Sequence, residues 1–262
     1  MCNYKTLSKA DLAFLTQKGI AFLEEVDSTN AFLKQKPELT AVLAAFQTSG
    51  RGQRGASWES EPYQNLLFSR KLTLELAVEN FFVLNIAVSL AVYEAVCALV
   101  PSQVRSKIKI KWPNDVFFEH QKIAGLLIEN SLSGRKINKS IVGIGLNLNQ
   151  LNFQNPHASS LRQIVKEPLS LPEAAVCVNS RLEEIQSFSN NSITKLLEKY
   201  KSCLYQFRKE DFFYLFEEGI LVKAKITNVF LDGHIELQSA KKKYRLTFKS
   251  FSFKRLLKIL QH

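Results

Sequence analysis

Cysteine is scarce and scattered in this chain: four residues in 262, at Cys2, Cys97, Cys177 and Cys203. None forms a CxxC pair or sits in a histidine cluster, so the spacing supports neither a zinc site nor a disulfide framework. Cys97 and Cys177 fall in apolar stretches, as reduced core residues do, and a cytoplasmic location is expected. The segment Met1 to Ala10 lacks the apolar core of a signal peptide. No internal repeat or low-complexity linker is present. Acid is in deficit: 24 Asp and Glu against 35 Lys and Arg give a net charge of +11 and a pI near 9.4. Such a balance fits an acidic partner, whether nucleic acid, nucleotide phosphates, an acidic protein or an anionic membrane. The longest apolar run, Phe81 to Val100, approaches membrane-spanning length. Asn85, Ser89 and Glu94 interrupt it, and a buried helix under a sheet is expected instead. No membrane association is therefore expected.

With 46% hydrophobic residues a sizeable core can form, as one large domain or a medium domain plus a small one. Strands are predicted over Ile20–Val26, Ala41–Phe46, Asn65–Leu74, Ile108–Trp112, Val116–Phe118, Ile123–Glu129 and Ser140–Leu148. Helices are predicted over Ser8–Lys18, Ala31–Lys36, Asn80–Leu99, Pro172–Phe188 and Ser192–Phe207. From Gly219 onward the texture changes to short strands punctuated by Asp232-Gly233, a hairpin signal. A division into an α/β body, residues 1–212, and a small β module, residues 213–262, is expected.

Five segments carry chemistry. Gln47 to Trp58 follows a strand and packs Gly50, Gly52 and Gly55 with Arg51 and Arg54 into six residues. Glycines let backbone approach a ligand and arginines offer forked donors to phosphate or carboxylate. Asp27-Ser28-Thr29-Asn30 is a run of helix-capping residues that also suits a ligand rich in hydrogen bonds. Lys111-Trp112-Pro113-Asn114-Asp115 marks a turn, and Lys122 begins the returning strand in Lys122-Ile123-Ala124-Gly125. Gly143 to Asn149 is a softer, glycine-punctuated strand.

These segments, in this order, resemble those of the biotin protein ligases from Phe22 to Asn149, with a weaker match through the C-terminal module. The resemblance implies an α+β fold: a mixed-sheet catalytic domain of the biotin/lipoate ligase type followed by a small SH3-like β barrel. It implies activation of biotin by ATP, with Mg²⁺, to biotinyl-5′-AMP and pyrophosphate. The biotinyl group then passes to a lysine of the biotin carboxyl carrier protein of acetyl-CoA carboxylase. By the same resemblance, Ser28, Thr29, Asn30, Gln47, Gly50, Arg51, Gly52, Gln53, Trp112, Lys122 and Gly125 bind biotin. Arg51, Arg54, Trp58, Asn114, Asp115 and Asn147 bind the nucleotide or adenylate, with Asn149 as a weaker candidate. Lys122 and Arg51 are the catalytic cations. Adenylation joins two anions, so preplaced positive charge should dominate its barrier.

Several positions have a second reading. Ser28 and Thr29 can cap a helix, Trp58 can anchor the loop in the core instead of covering the adenylate, and Asn114 and Asp115 can be turn formers or lie near Mg²⁺. The family loop commonly carries arginine where Gln53 stands, so a phosphate contact there is not carried over. The eight basic residues from Ser239 to His262 can be a solvated face or a surface for an acidic carrier domain. Only Met1 to Gly19 precede the first strand, too short for a helix-turn-helix unit, so no specific DNA binding is expected. Lipoate and octanoate ligases share the fold but typically show an Arg-Arg, Gly-Gly-Gly, His-Asp pattern that is absent here. A nucleic-acid-binding protein and an inactive homologue are the further alternatives. Monomer and homodimer are both compatible with the family.

Overall fold

The computed structural model describes residues 6–187, 193–248 and 250–254. Cys2, the side chain of Arg54, and Lys249, Arg255 and Lys258 of the basic C-terminal run lie outside what is described. The body is a seven-stranded mixed sheet of β1 (Ile20–Val26), β2 (Ala41–Gln47), β3 (Leu66–Ala77), β4 (Ile108–Lys111), β5 (Asp115–Phe118), β6 (Gln121–Ser133) and β7 (Lys136–Leu146). Its order is β1-β2-β3-β7-β6-β5-β4. β1 and β2 run parallel, and every other neighbouring pair is antiparallel.

Side-chain alternation along β3, β6 and β7 divides this sheet into two chemically different faces. Leu66, Phe68 and Leu72 of β3, Ala124 and Leu126 of β6, and Val142, Ile144 and Leu146 of β7 join one buried core. Against that face pack α3 (Phe81–Ala98) and α6 (Leu171–Glu184). The register pairs Ser69 with Gly143, Gly143 with Leu127, and Gly125 with Gly145 on the opposite face, where three glycines leave the sheet low beside Leu67 and Leu127. The short helix α2 (Thr29–Lys34) lies over that second face, held by Ser69 and Glu129. Arg70, on the α6 side, is buried and bound to Asn179 and Glu183.

The segment Val78–Ala98, which contains α3, is long and apolar enough to cross a membrane by length and composition, but 67% of its apolar window is buried inside the fold. Its Asn85 and Ser89 do local work: Asn85 Nδ2 donates to the Pro113 carbonyl at 2.9 Å, and the Ser89 hydroxyl donates to the Asn85 carbonyl at 2.6 Å. The remaining helices are α1 (Lys9–Gln17), α4 (Ser102–Arg105), α5 (Leu161–Val165) and α7 (Ile193–Cys203).

The C-terminal part is a five-stranded antiparallel sheet, in the order β11-β10-β9-β8-β12. Its strands are β8 (Glu210–Leu215), β9 (Ile220–Val229), β10 (Ile235–Ser239), β11 (Lys243–Leu246) and β12 (Phe251–Phe253). β8 begins at Glu210, so a boundary at residues 212/213 cuts through a strand; the sheet starts after α7 and its turn, not at the change of texture near Gly219. Asp232-Gly233 lies between β9 and β10 as expected, with Gly233 at φ +83°.

Candidate active site

β1 and β2 are parallel and in register to their ends, where Val26 faces Gln47. The chain therefore delivers the two segments that follow them, Ser28–Asn30 and the glycine/arginine loop, to the same edge of the sheet. That is where ligand sites of open α/β sheets form. Ser28 is the N-cap of α2, its hydroxyl accepting from Ala31 N. Thr29 donates to Gln47 Oε1 from both its backbone N and its hydroxyl, at 2.8 and 2.9 Å. The buried Ser69 hydroxyl stands 2.7 Å from Thr29 Oγ1 and 2.6 Å from Asn30 Oδ1. Asn30 Nδ2 donates to Glu129 Oε2 at 2.7 Å. Capping and ligand presentation thus coexist in one linked polar network. Ser69 and Glu129 belong to that network yet carry no sequence signal, because each reaches it across the sheet from a distant strand.

The loop after Gln47 closes on itself. Trp58 N donates to Gly50 O at 3.0 Å, Gly52 N to Ala56 O at 2.5 Å, and Arg51 bridges Ser57. Gln53, the neutral residue in the loop, donates to the Leu126 carbonyl at 3.3 Å and so ties the loop to β6. The Trp58 indole lies over the glycine-lined face. A Cβ on Gly145 would fall 2.3 Å from Trp58 Cε2, and one on Gly125 2.9 Å from Trp58 Cζ3. A Cβ on Gly143 would strike Asn30 Oδ1 at 2.5 Å. Three glycines on adjacent strands therefore make the floor on which Trp58 and Asn30 rest.

At the other end the β5–β6 hairpin sets Lys122 Nζ 2.7 Å from Asp115 Oδ1 and 5.6 Å from the Trp58 ring centroid. The turn before β5 is fixed from below. The Pro113 carbonyl accepts from Asn85 and, at 2.6 Å, from the fully buried Tyr200 hydroxyl, whose pKa burial pushes well up. Asn114 spends its Nδ2 on Asn85 Oδ1 and the Leu126 carbonyl. The Trp112 ring stacks on Phe251 of β12, at 5.7 Å and 16°. The indole N–H groups of Trp58 and Trp112 are buried and find no acceptor among the described residues.

All of this encloses a cavity of about 620 Å³. Ser28, Thr29, Asn30, Gln47, Arg51, Gly52, Gln53, Trp58, Trp112, Asn114, Asp115, Lys122 and Gly125 line it, as do Lys111, Gly143 and Gly145. Phe216, Phe248, Phe251, Ser252 and Phe253 of the C-terminal part complete the wall. Nothing in the sequence announces that wall, since those phenylalanines read as core of a separate module. Three candidates, Gly50, Asn147 and Asn149, lie elsewhere. Gly50 shapes the base of the loop, where a Cβ would meet Trp58 O at 3.0 Å. Asn147 does not reach the cavity: β7 ends at Leu146, and the Asn147 amide donates to the carbonyls of Ser159 and Lys122 at 3.0 and 3.4 Å. Asn149 likewise pins the loop at the backbone of Leu169, with bonds of 2.8 and 2.9 Å to its carbonyl and amide.

Residues 21–147 match the model of the biotin/lipoate A/B protein ligase family. The matched stretch, 127 of the 262 residues, is similar to that family. Among ligase relatives, it is 39% identical over 133 residues to the biotin--[acetyl-CoA-carboxylase] ligase of Paracoccus denitrificans, covering 48% of this chain and 53% of that one. It is 31% identical over 145 residues to the bifunctional ligase/repressor BirA of Escherichia coli, covering 54% of this chain and 44% of that one. The chain thus spans about half the length of the curated relatives it matches. A solved structure of the biotin protein ligase from Aquifex aeolicus, in complex with biotin and ATP, superposes with a TM-score of 0.72 at 28% identity, covering 90% of this chain and 99% of that one. The ligase-family match takes in the polar network, the loop, the glycine floor and the Asp115–Lys122 pair. It stops short of the phenylalanine wall.

Proposed function

We propose that this chain is a biotin protein ligase. In the first step a biotin carboxylate oxygen bonds to the α-phosphorus of ATP, and the bond to pyrophosphate breaks with its electron pair on the leaving group. In the second, an acceptor lysine amine attacks the acyl carbon, AMP departs with the C–O electrons, and the amine proton is lost. The observation that carries the reading is the polarity of the cavity. A hydrogen-bonding end at Thr29, Asn30, Gln47 and Ser69 suits a ureido ring, whose unpaired polar groups would be costly to bury. A cationic end at Arg51 and Lys122 suits the carboxylate and α-phosphate between which charge must be neutralised. The glycine floor and the Trp58 and Trp112 rings suit the apolar remainder.

Within this reading Arg51 and Lys122 are the catalytic cations, and Arg54 is a further loop cation for the phosphates. Trp58 excludes water from the mixed anhydride. Among the described residues Asp115 is the one carboxylate on the cavity wall, and no three potential metal ligands cluster. Mg²⁺ would therefore enter with the ATP phosphates and take at most Asp115 from the protein, as phosphate-bound Mg²⁺ commonly does. The acceptor is a biotin carboxyl carrier domain, the C-terminal sheet an SH3-like barrel forming its own module, and the setting the cytoplasm, as a monomer or homodimer. The test is biotin-dependent ATP–pyrophosphate exchange. Wild type should exchange, and Lys122→Ala and Arg51→Ala should each lose the activity. Exchange with lipoate or octanoate but not biotin would overturn the reading.

A further inference from the structure

One cation in the cavity has no carboxylate of its own. The antiparallel register of β4 and β5 sets Lys111 directly across from Asp115, yet Asp115 is already held by Lys122 at 2.7 Å. Among the described residues no carboxylate stands within 4.0 Å of the Lys111 ammonium. That group lies instead 5.5 Å from the Phe117 ring centroid and opens onto the cavity. Two lysines and Arg51 thus face a single acid on one wall. Burial lowers the Lys111 pKa; Asp115 opposes the shift and Lys122 adds to it. A part-buried ammonium so placed is a burden on the fold unless an anion arrives to meet it.

We propose that Lys111 is a third catalytic cation of adenylation, binding the non-bridging phosphate oxygens of ATP while Lys122 serves the carboxylate and the transferring oxygen. The idea rests on the ligase reading above. Lys111 moves no proton. It neutralises charge on the five-coordinate α-phosphorus and on the pyrophosphate as the phosphoanhydride bond breaks. The strand register gives it a fixed origin on the sheet, unlike a residue of the glycine/arginine loop, so its contribution is preorganised.

Lys111→Met and Lys111→Arg separate this role from a structural one. Removing a preorganised charge contact of this type costs about 10²–10³-fold, so Lys111→Met should lose that much in kcat/KM for ATP in pyrophosphate exchange. Its affinity for biotin alone, measured without nucleotide, should stay within about threefold. Lys111→Arg should recover part of the loss. The melting temperature of Lys111→Met should equal or exceed wild type, because an under-compensated charge is removed. Exchange by Lys111→Met within threefold of wild type would overturn the proposal, as would a parallel loss of biotin affinity or a lowered melting temperature. Absence of biotin-dependent exchange in the wild type would overturn the ligase reading and this proposal together.

Discussion

Substituting Gly145 by alanine tests the glycine floor. Gly145 lies in the regular part of β7 and its φ is not positive, so alanine strains no backbone there. Everything the added methyl does, it does to Trp58. Its carbon would sit 2.3 Å from Cε2, 2.6 Å from Cζ2 and 2.7 Å from Cδ2. Restoring ordinary contact at about 3.4 Å requires the ring to rise by about 1.1 Å. Forcing a methyl into a packed site costs about 1–3 kcal/mol, roughly 5- to 150-fold if it falls on ligand affinity. Biotin affinity of Gly145→Ala should drop within that range, and tryptophan emission should change because Trp58 is one of only two tryptophans. In a double-mutant cycle, Trp58→Ala should abolish most of the penalty, since the clash then has no partner. Unchanged affinity and emission in Gly145→Ala, or strict additivity in the cycle, would refute the argument.

Ser69→Ala removes the hydroxyl that serves Thr29 and Asn30. It should destabilise by about 1–3 kcal/mol in denaturant unfolding and raise the KM for biotin more than the KM for ATP. A pH dependence follows from Lys111, which faces Asp115 on β5 and Lys122 on β6. Burial holds its folded pKa below the ordinary lysine value, so the unfolded chain binds more protons between the two values and stability rises with pH across that window. Unfolding at several pH values should show this rise diminished in Lys111→Met.

Much of the site was legible because it is local in sequence. Asp115 and Lys122 are joined by one tight hairpin, so their spacing alone placed them on neighbouring strands. Ser28 to Asn30 and the Gln47 loop each follow a recognisable strand. What escaped is non-local. Ser69 meets Asn30 only because β3 lies between β2 and β7, and Phe251 meets Trp112 only because a second sheet folds back. Asn147 looked like strand because Gly143 to Asn149 is apolar and glycine-punctuated, but pairing ceases at Leu146. The β6–β7 hairpin runs longer than its hydrophobic pattern, since cross-strand pairing continues to Ser133 and Lys136 at its exposed tip. β8 begins at the polar pair Glu210-Asp211, which gave no strand signal although Asp211 is buried.

Helix α3 belongs to both halves of the molecule. Leu84, Val88, Val92 and Ala95 lie in the core beneath the large sheet, whereas Phe82, Ile86 and Leu90 lie in the core shared with Tyr200, Phe213 and Ile226. The second stripe recurs every four residues and joins the core that α7 and the C-terminal sheet share, with the Tyr200 ring edge-on to Phe82. Each such side chain contributes about 1.5–3 kcal/mol on burial, so uncovering three forfeits roughly 5–9 kcal/mol, comparable with the entire stability of many domains. The helix acts as a shared rib, and the chain should melt in one calorimetric transition. A fragment ending after α7 would keep the Tyr200 cover on Phe82 but lose the sheet's share of that core, and part of its own central helix would become an adhesive surface.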